Sequence, residues 1–373
     1  MKPLKVIISG GGTGGHIFPA LAIADALKER CPDTDILFIG AKGKMEMEKV
    51  PAAGYRIVGL PVSGFDRKRL WRNVGVLFKL LESMVVAFFT VRRFSPDVVI
   101  GVGGYASAPT LKMASMMGVP TLIQEQNSYA GVTNQLLAAK AGKICVAYPE
   151  MEKFFPAEKI VMTGNPVRKE IIDIEGKRDE AISFFNLDSK KRTILVLGGS
   201  LGARTINNSI RKAIEAIRAD SEVQVIWQCG KFYYNEMKAL PELKLAENIR
   251  LYAFISRMDL AYAAADLIIS RAGAGSISEF CLLRKSVILI PSPNVAEDHQ
   301  TVNAQSLIKN KAAIMIADVS AENSLGDIML STIHNDSLLK ELGENIMKMG
   351  LPDSASRIVD EILTLVKGKK NES

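Results

Sequence analysis

The sequence predicts an α/β protein built from two doubly wound, Rossmann-like domains facing each other across a cleft. Three observations predict it. Short apolar runs alternate with helical stretches along nearly the whole chain, the pattern of parallel sheets covered on both faces. The plan of strand, glycine loop and helix opens the chain and is restarted at Thr193-Ile-Leu-Val-Leu197, followed by Gly198-Gly-Ser-Leu-Gly-Ala-Arg204. The 373 residues also exceed what one ordinary core accommodates, so two domains of comparable size are expected.

Composition narrows the class. With 48% hydrophobic and 23% charged residues the chain is globular and has apolar material for two cores. A net charge of +7 favours anionic partners such as nucleotides, phospholipid surfaces or nucleic acid. Cys31, Cys145, Cys229 and Cys281 form no C-x-x-C pair, and there are three histidines, so a reducing cytosol and no structural zinc are expected. Met1-Lys2-Pro3 runs directly into Leu4-Lys5-Val6-Ile7-Ile8, too short an apolar run for a signal peptide and better read as the first strand.

That strand gives way to Gly10-Gly-Gly-Thr-Gly-Gly-His16 and a helix over residues 20–30. Gly10, Gly12 and Gly15 satisfy the dinucleotide spacing G-x-G-x-x-G, but the second strand, Ile36-Leu-Phe-Ile39, ends in Gly40-Ala-Lys42 where a ribose-binding acid belongs, which argues against NAD. His16 closes the loop near the helix start and is a catalytic candidate. Asp33-Thr34-Asp35 has the form of a metal-binding D-x-D, yet it precedes its strand, at the end of the sheet away from the ligand crevice.

Residues 65–94 set basic side chains (Arg67, Lys68, Arg69, Arg72, Lys79, Arg92, Arg93) around an apolar segment containing Trp71, Phe78, Phe88 and Phe89. Its longest uncharged run, residues 83–91, is far short of the roughly 20 residues a membrane span needs. Either a core helix with a basic edge or a membrane-surface element fits. Asp97-Val-Val-Ile-Gly-Val-Gly-Gly-Tyr105 repeats strand and glycine loop, and Pro109 sits in the first turn of the next helix. Val119-Pro-Thr-Leu-Ile123 runs into Gln124-Glu-Gln-Asn127, placing donors and acceptors, Glu125 among them, at the carboxyl edge of the sheet. Gly164-Asn-Pro-Val-Arg168 marks the domain boundary, because Pro166 stops regular structure. Residues 354–366 form a final helix with Ile358, Ile362 and Leu365 on one stripe.

The stretch Asp266-Leu-Ile-Ile-Ser270, then Arg271-Ala-Gly-Ala-Gly-Ser-Ile-Ser-Glu279, reads as strand, glycine turn and helix start, with Ser276 at the expected N-cap. Such a junction aims backbone N–H groups and the positive end of a helix dipole above the sheet, which suits a phosphate. Glu279, about one turn in, is positioned to accept hydrogen bonds from sugar hydroxyls.

Together with Asp298-His-Gln300, these motifs resemble, in order and along nearly the whole chain, glycosyltransferase family 28. The resemblance is to its bacterial cell-wall members, which move N-acetylglucosamine from UDP-GlcNAc onto lipid I, the undecaprenyl-diphosphate-linked MurNAc-peptide, to form lipid II. It implies the GT-B fold, with residues 1–165 as an acceptor and membrane-binding domain completed by a C-terminal helix at 354–373, and 166–353 as the UDP-GlcNAc-binding domain. Carried onto this chain, it implies Thr13, Gly14 and Gly15 near the donor sugar and diphosphate, and Asn127 on the sugar. Arg168, Ser200 and Ile255 would surround the nucleotide. Ala274, Gly275, Ser276, Ile277, Ser278 and Glu279 would hold the diphosphate and ribose, with Gln300 reaching the GlcNAc. His16 and Glu125 are the candidate bases, and which of them acts stays open. No metal, cofactor or nucleic-acid partner is expected, and the place of work is the cytoplasmic face of the membrane, reached peripherally on anionic lipid. Another UDP-sugar-dependent glycolipid synthase, or a sugar-nucleotide-binding module without activity, remains an alternative.

Overall fold

The computed structural model describes residues 3–62, 73–199, 201–295 and 298–372. The chain divides into two compact units: Met1–Arg168 with Leu351–Ser373, and Lys169–Gly350. The basic run Arg67, Lys68, Arg69, Trp71 and Arg72 lies outside the described residues, as does Ser200.

Unit 1 holds a seven-stranded sheet of β1 (Lys5–Ser9), β2 (Asp35–Ala41), β3 (Arg56–Leu60), β4 (Val98–Gly101), β5 (Thr121–Glu125), β6 (Lys143–Val146) and β7 (Ile160–Met162). The order is β3-β2-β1-β4-β5-β6-β7 and every pairing is parallel. Strand periodicity sorts the core into two layers. Val6 and Ile8 face the Gly14–Arg30 helix, while Ile7 faces the opposite layer with Val99 and Leu111. The last helix, Ser354–Glu372, packs on the Gly14–Arg30 helix through the fully buried Ile358, Val359 and Ile362. Arg30 pairs with Asp360 at 2.9 Å alongside that apolar seam.

Unit 2 repeats the plan with six strands: β8 (Arg192–Leu197), β9 (Val223–Gln228), β10 (Ile249–Tyr252), β11 (Leu267–Ser270), β12 (Ser286–Leu289) and β13 (Ile314–Met315). Their order is β10-β9-β8-β11-β12-β13, again all parallel. Ile194 and Val196 face one layer of core, Leu195 and Leu197 the other. Both sheets therefore reverse direction of winding beside their first strand, between β1 and β4 and between β8 and β11. Loops leaving those strands diverge there, which is where open α/β sheets bind ligands.

Two expectations are corrected. The Ala274–Leu283 helix is capped by Gly273, whose φ and ψ of −69° and 135° are extended, so Ser276 lies inside the first turn. The chain turns into the helix earlier because the glycine needs no side-chain cap to leave β11. Second, β5 runs on through Glu125, so Gln124 and Glu125 belong to the strand and point to opposite faces. Gln124 and Gln126 are buried and tied internally, Gln124 Nε2 to Asn165 Oδ1 at 3.0 Å and Gln126 Nε2 to the Val102 carbonyl at 2.9 Å. They offer nothing to a ligand.

Candidate functional site

In unit 1 the loop after β1 leads into a helix whose N-cap is Thr13. His16 sits in its first turn. The Nδ1 atom of His16 lies 3.1 Å from the Gly11 carbonyl oxygen and 3.1 Å from Thr13 Oγ1. A carbonyl can only accept, so Nδ1 carries a hydrogen, and in the neutral ring the lone pair is then on Nε2. The ring packs over the β4 loop, where a Cβ on Gly103 would come 3.0 Å from Nε2. Gly14 and Gly15 supply helix-start amides beside it.

Glu125 presents a different picture. It is 2% exposed, and its Oε1 accepts from the Asn127 amide at 3.0 Å and from Asn127 Nδ2 at 3.3 Å. Its Oε2 accepts from the Gly131 amide at 3.0 Å and from Asn134 Nδ2 at 2.8 Å. Four donors converge on one carboxylate, which shapes the loop after β5. Asn127 remains half-buried at the surface of that loop. Arg168, where the first segment of unit 1 ends, stacks its guanidinium 4.9 Å from the Phe18 ring centroid.

In unit 2 the loop after β11 leaves the helix starting at Ala274 with first-turn amides, Ala274, Gly275 and Ser276, that no preceding helical turn can satisfy. Ile277 is turned into the core at 2% exposure and its amide already bonds the Gly273 carbonyl at 2.9 Å. Ser278 Oγ bonds back to the Ala274 carbonyl at 3.0 Å. The Oε2 of Glu279 accepts from the hydroxyl of buried Tyr262 at 2.6 Å, and burial, reinforced by that carboxylate, holds the phenol protonated well above its ordinary range. Ile255 is likewise 3% exposed, its amide bonded to Gln228 Oε1 at 2.7 Å.

A cavity of about 480 Å³ opens at the switch point of this unit. Gly198 and Arg204 from the β8 loop, Tyr233, Arg271, Ser292 and Gln300 line it. Among the described residues expected to hold the donor, only Gln300 lines this cavity; its Oε1 accepts from the Ser292 amide at 2.8 Å. Arg271 bonds the Ile290 carbonyl at 3.0 Å and the Pro291 carbonyl at 3.2 Å and pairs with Asp318, so it braces the cavity floor. Arg204 and Arg271 were not singled out from the sequence. The available signal was an arginine bounding each glycine turn of this unit, Arg204 closing the turn after β8 and Arg271 opening the turn after β11.

The glycosyltransferase family 28 N-terminal domain model matches residues 6–146, and the family 28 C-terminal domain model matches residues 193–358. A Bacteroides fragilis protein is 60% identical over 98% of this chain and 96% of its own length. It is named UDP-N-acetylglucosamine--N-acetylmuramyl-(pentapeptide) pyrophosphoryl-undecaprenol N-acetylglucosamine transferase. A Flavobacterium psychrophilum protein of the same name is 52% identical over the full length of both chains. Among solved structures, Acinetobacter baumannii MurG superposes with a TM-score of 0.77 at 29% identity, covering 97% of this chain and 100% of its own. A UDP-GlcNAc 2-epimerase from Neisseria meningitidis shares the fold alone, with a TM-score of 0.71 at 12% identity, 97% of this chain and 100% of its own.

Proposed function

The chain belongs to glycosyltransferase family 28, and from that premise we propose that it transfers N-acetylglucosamine from UDP-GlcNAc to the MurNAc 4-hydroxyl of lipid I. The observation that carries the reading is the end-to-end match to relatives named for that transfer, at 60% identity. Unit 1 takes the acceptor and unit 2 the donor. Transfer is a single displacement at the anomeric carbon, so the α-linked donor gives a β-linked product.

Each chemical demand of that step has a candidate group. The acceptor hydroxyl must lose a proton, and His16 Nε2 is a base suited to neutral pH, its other nitrogen being held by Gly11. Glu125, with four donors on it, organises the loop carrying Asn127. The departing diphosphate gathers negative charge, which the first-turn amides of the Ala274–Leu283 helix and its dipole stabilise. Glu279 and Gln300 hold ribose and sugar, and Ile255 flanks the nucleotide. Incubation with radiolabelled UDP-GlcNAc and a lipid I analogue should move label into the lipid phase. Label that stays with nucleotide or appears as free sugar would sink the proposal.

The lipid acceptor calls for a membrane surface, and the Asn73–Phe94 helix supports one. Leu77, Phe78, Leu81, Val85 and Phe89 are exposed on it, Phe78 to 71%, with Lys79, Arg92 and Arg93 exposed beside them. No helix among the described residues is long and apolar enough to cross a membrane. Shallow insertion of these apolar side chains, with cations meeting anionic headgroups at about 1 kcal/mol each, docks the enzyme peripherally on the cytoplasmic face. Phe78→Ser with Phe89→Ser should abolish sedimentation with anionic vesicles and leave UDP binding intact.

A further inference from the structure

We propose that Glu46 is a positioning residue for the transfer, a buried carboxylate that acts on His16 through one peptide unit. Glu46 enters the Glu46–Ala52 helix just after β2 and is 1% exposed. Its Oε1 accepts from the Gly12 amide at 3.0 Å and the Ala41 amide at 2.9 Å, and its Oε2 also lies 3.0 Å from the Gly12 nitrogen. A carboxylate withdrawn from water costs several kcal/mol unless donors replace its hydration, and here backbone amides are those donors.

The surrounding glycines are spaced for this side chain. A Cβ on Gly11 would sit 2.1 Å from Glu46 Oε1, and one on Gly40 would sit 2.6 Å from Glu46 Cγ. The Gly40 that stands where a dinucleotide site would carry its acid therefore makes room for a different acid. The Gly12 amide and the Gly11 carbonyl belong to the same trans peptide plane, so they point to opposite sides. Holding the N–H on Glu46 turns the C=O toward His16, whose Nδ1 lies 3.1 Å from that oxygen. A charge-assisted bond on one side of a peptide also polarises the carbonyl on the other. The chain Glu46, Gly11–Gly12 peptide, His16 thus holds the imidazole in one tautomer and makes its Nε2 more basic. No proton passes along it.

The inference rests on His16 being the base. The test uses Glu46→Gln and Glu46→Ala in the full-length enzyme, assayed with UDP-GlcNAc and a lipid I analogue. A parallel measurement records imidazole nitrogen resonances of protein labelled at its three histidines, His16 being assigned by its loss in His16→Ala. The expected result is a kcat lowered roughly 10–100-fold with donor KM little changed, as for other residues that orient a reacting group from behind. Neutral His16 should also shift from the Nδ1–H pattern toward a mixture with Nε2–H. If the Ala variant does not fold, the near-isosteric Gln variant decides. Turnover within twofold of the parent overturns the proposal, whatever the resonances do. Lowered turnover with unmoved His16 resonances overturns it too, since Glu46 would then be merely structural. His16→Ala retaining parental turnover would defeat the base assignment while leaving the tautomer measurement standing, so the two failures are distinguishable.

Discussion

The two units begin with the same strand, glycine loop and helix, yet the loops use their glycines in opposite directions. In unit 1 the β1 loop leans across the switch point onto the β4 loop: a Cβ on Gly104 would stand 2.3 Å from the Gly11 carbonyl oxygen. In unit 2 the β8 loop leans the other way, onto the β9 loop, where a Cβ on Gly202 would stand 2.3 Å from the Cys229 carbonyl oxygen. The first arrangement fills the switch point and clamps a histidine; the second leaves it open as the cavity lined by Arg204, Arg271 and Gln300. One topology thus yields a rigid chemical post and a receptacle, and the difference lies in which neighbouring loop the glycines admit.

The comparison breaks most sharply at His16. If unit 1 supplies the base, His16→Ala should lower kcat roughly 10²–10⁴-fold and leave UDP binding by calorimetry close to the parent value. Equal loss of UDP affinity would mean that this loop belongs to the donor side and that the division of labour is misassigned.

Much of this was legible beforehand. The alternation of Val6 to Ile8 and of Ile194 to Leu197 announced two parallel sheets, because strands buried on both faces carry unbroken apolar runs. Less was legible where an element is short or a side chain is chosen by tertiary context. The β13 strand is two residues, Ile314–Met315, and β3 opens on exposed Arg56, carries Gly59 and is fully buried only at Leu60, so neither presents a plain apolar run. In the Lys44-Met-Glu-Met-Glu-Lys49 run nothing local distinguishes buried Glu46 from exposed Glu48; only the space vacated by Gly11 and Gly40 does. By contrast, the internal role of Gln124 was within reach of the period-two rule, which separates it from Glu125.

The packed loop should tolerate no added carbon. Gly104→Ala meets backbone atoms and must hold a φ of +84°, so a loss on the order of 2–4 kcal/mol of unit 1 stability is expected by denaturant melting. A parental midpoint would show that the two loops part easily and that unit 1 is no more closed than unit 2.

On the receptive side, Glu279→Ala should raise the donor KM by the equivalent of about 1.5–3 kcal/mol, the range for a charge-assisted hydrogen bond, with kcat less affected. The same substitution removes the carboxylate facing the Tyr262 hydroxyl, so the Tyr262→Phe enzyme separates support of Glu279 from contact with donor. An unchanged KM in Glu279→Ala would remove this residue from the donor site.

The units also differ in the charge they bury. Glu46 is answered by amides, whereas the Lys285 amine in unit 2 meets one carbonyl, Ala265, at 2.7 Å, and burial pushes its pKa down to about 8. A folded-state value below the unfolded one means that the unfolded chain binds the extra proton, so this group's penalty is full below pH 8 and fades as pH rises toward 10.5. Lys285→Met should therefore be more stable than the parent near pH 7, by roughly 1–2 kcal/mol, and the gap should close on raising the pH. A gap independent of pH would assign the effect to packing.

The smallest effect expected is at Gly275, and it separates stability from binding. Among the described residues, and its own helix turn aside, no atom lies within 4 Å of a Cβ built there, so Gly275→Ala stiffens the unfolded chain without a clash and should stabilise unit 2 by about 0.4–1 kcal/mol. The added methyl stands over the first-turn amides of the Ala274–Leu283 helix, the surface assigned to the diphosphate. If that assignment holds, the same variant melts later and binds UDP-GlcNAc more weakly, two opposite signs from one carbon atom. A variant that melts later and binds equally well moves the diphosphate off this helix and toward the β8 loop, where the cavity and Arg204 lie.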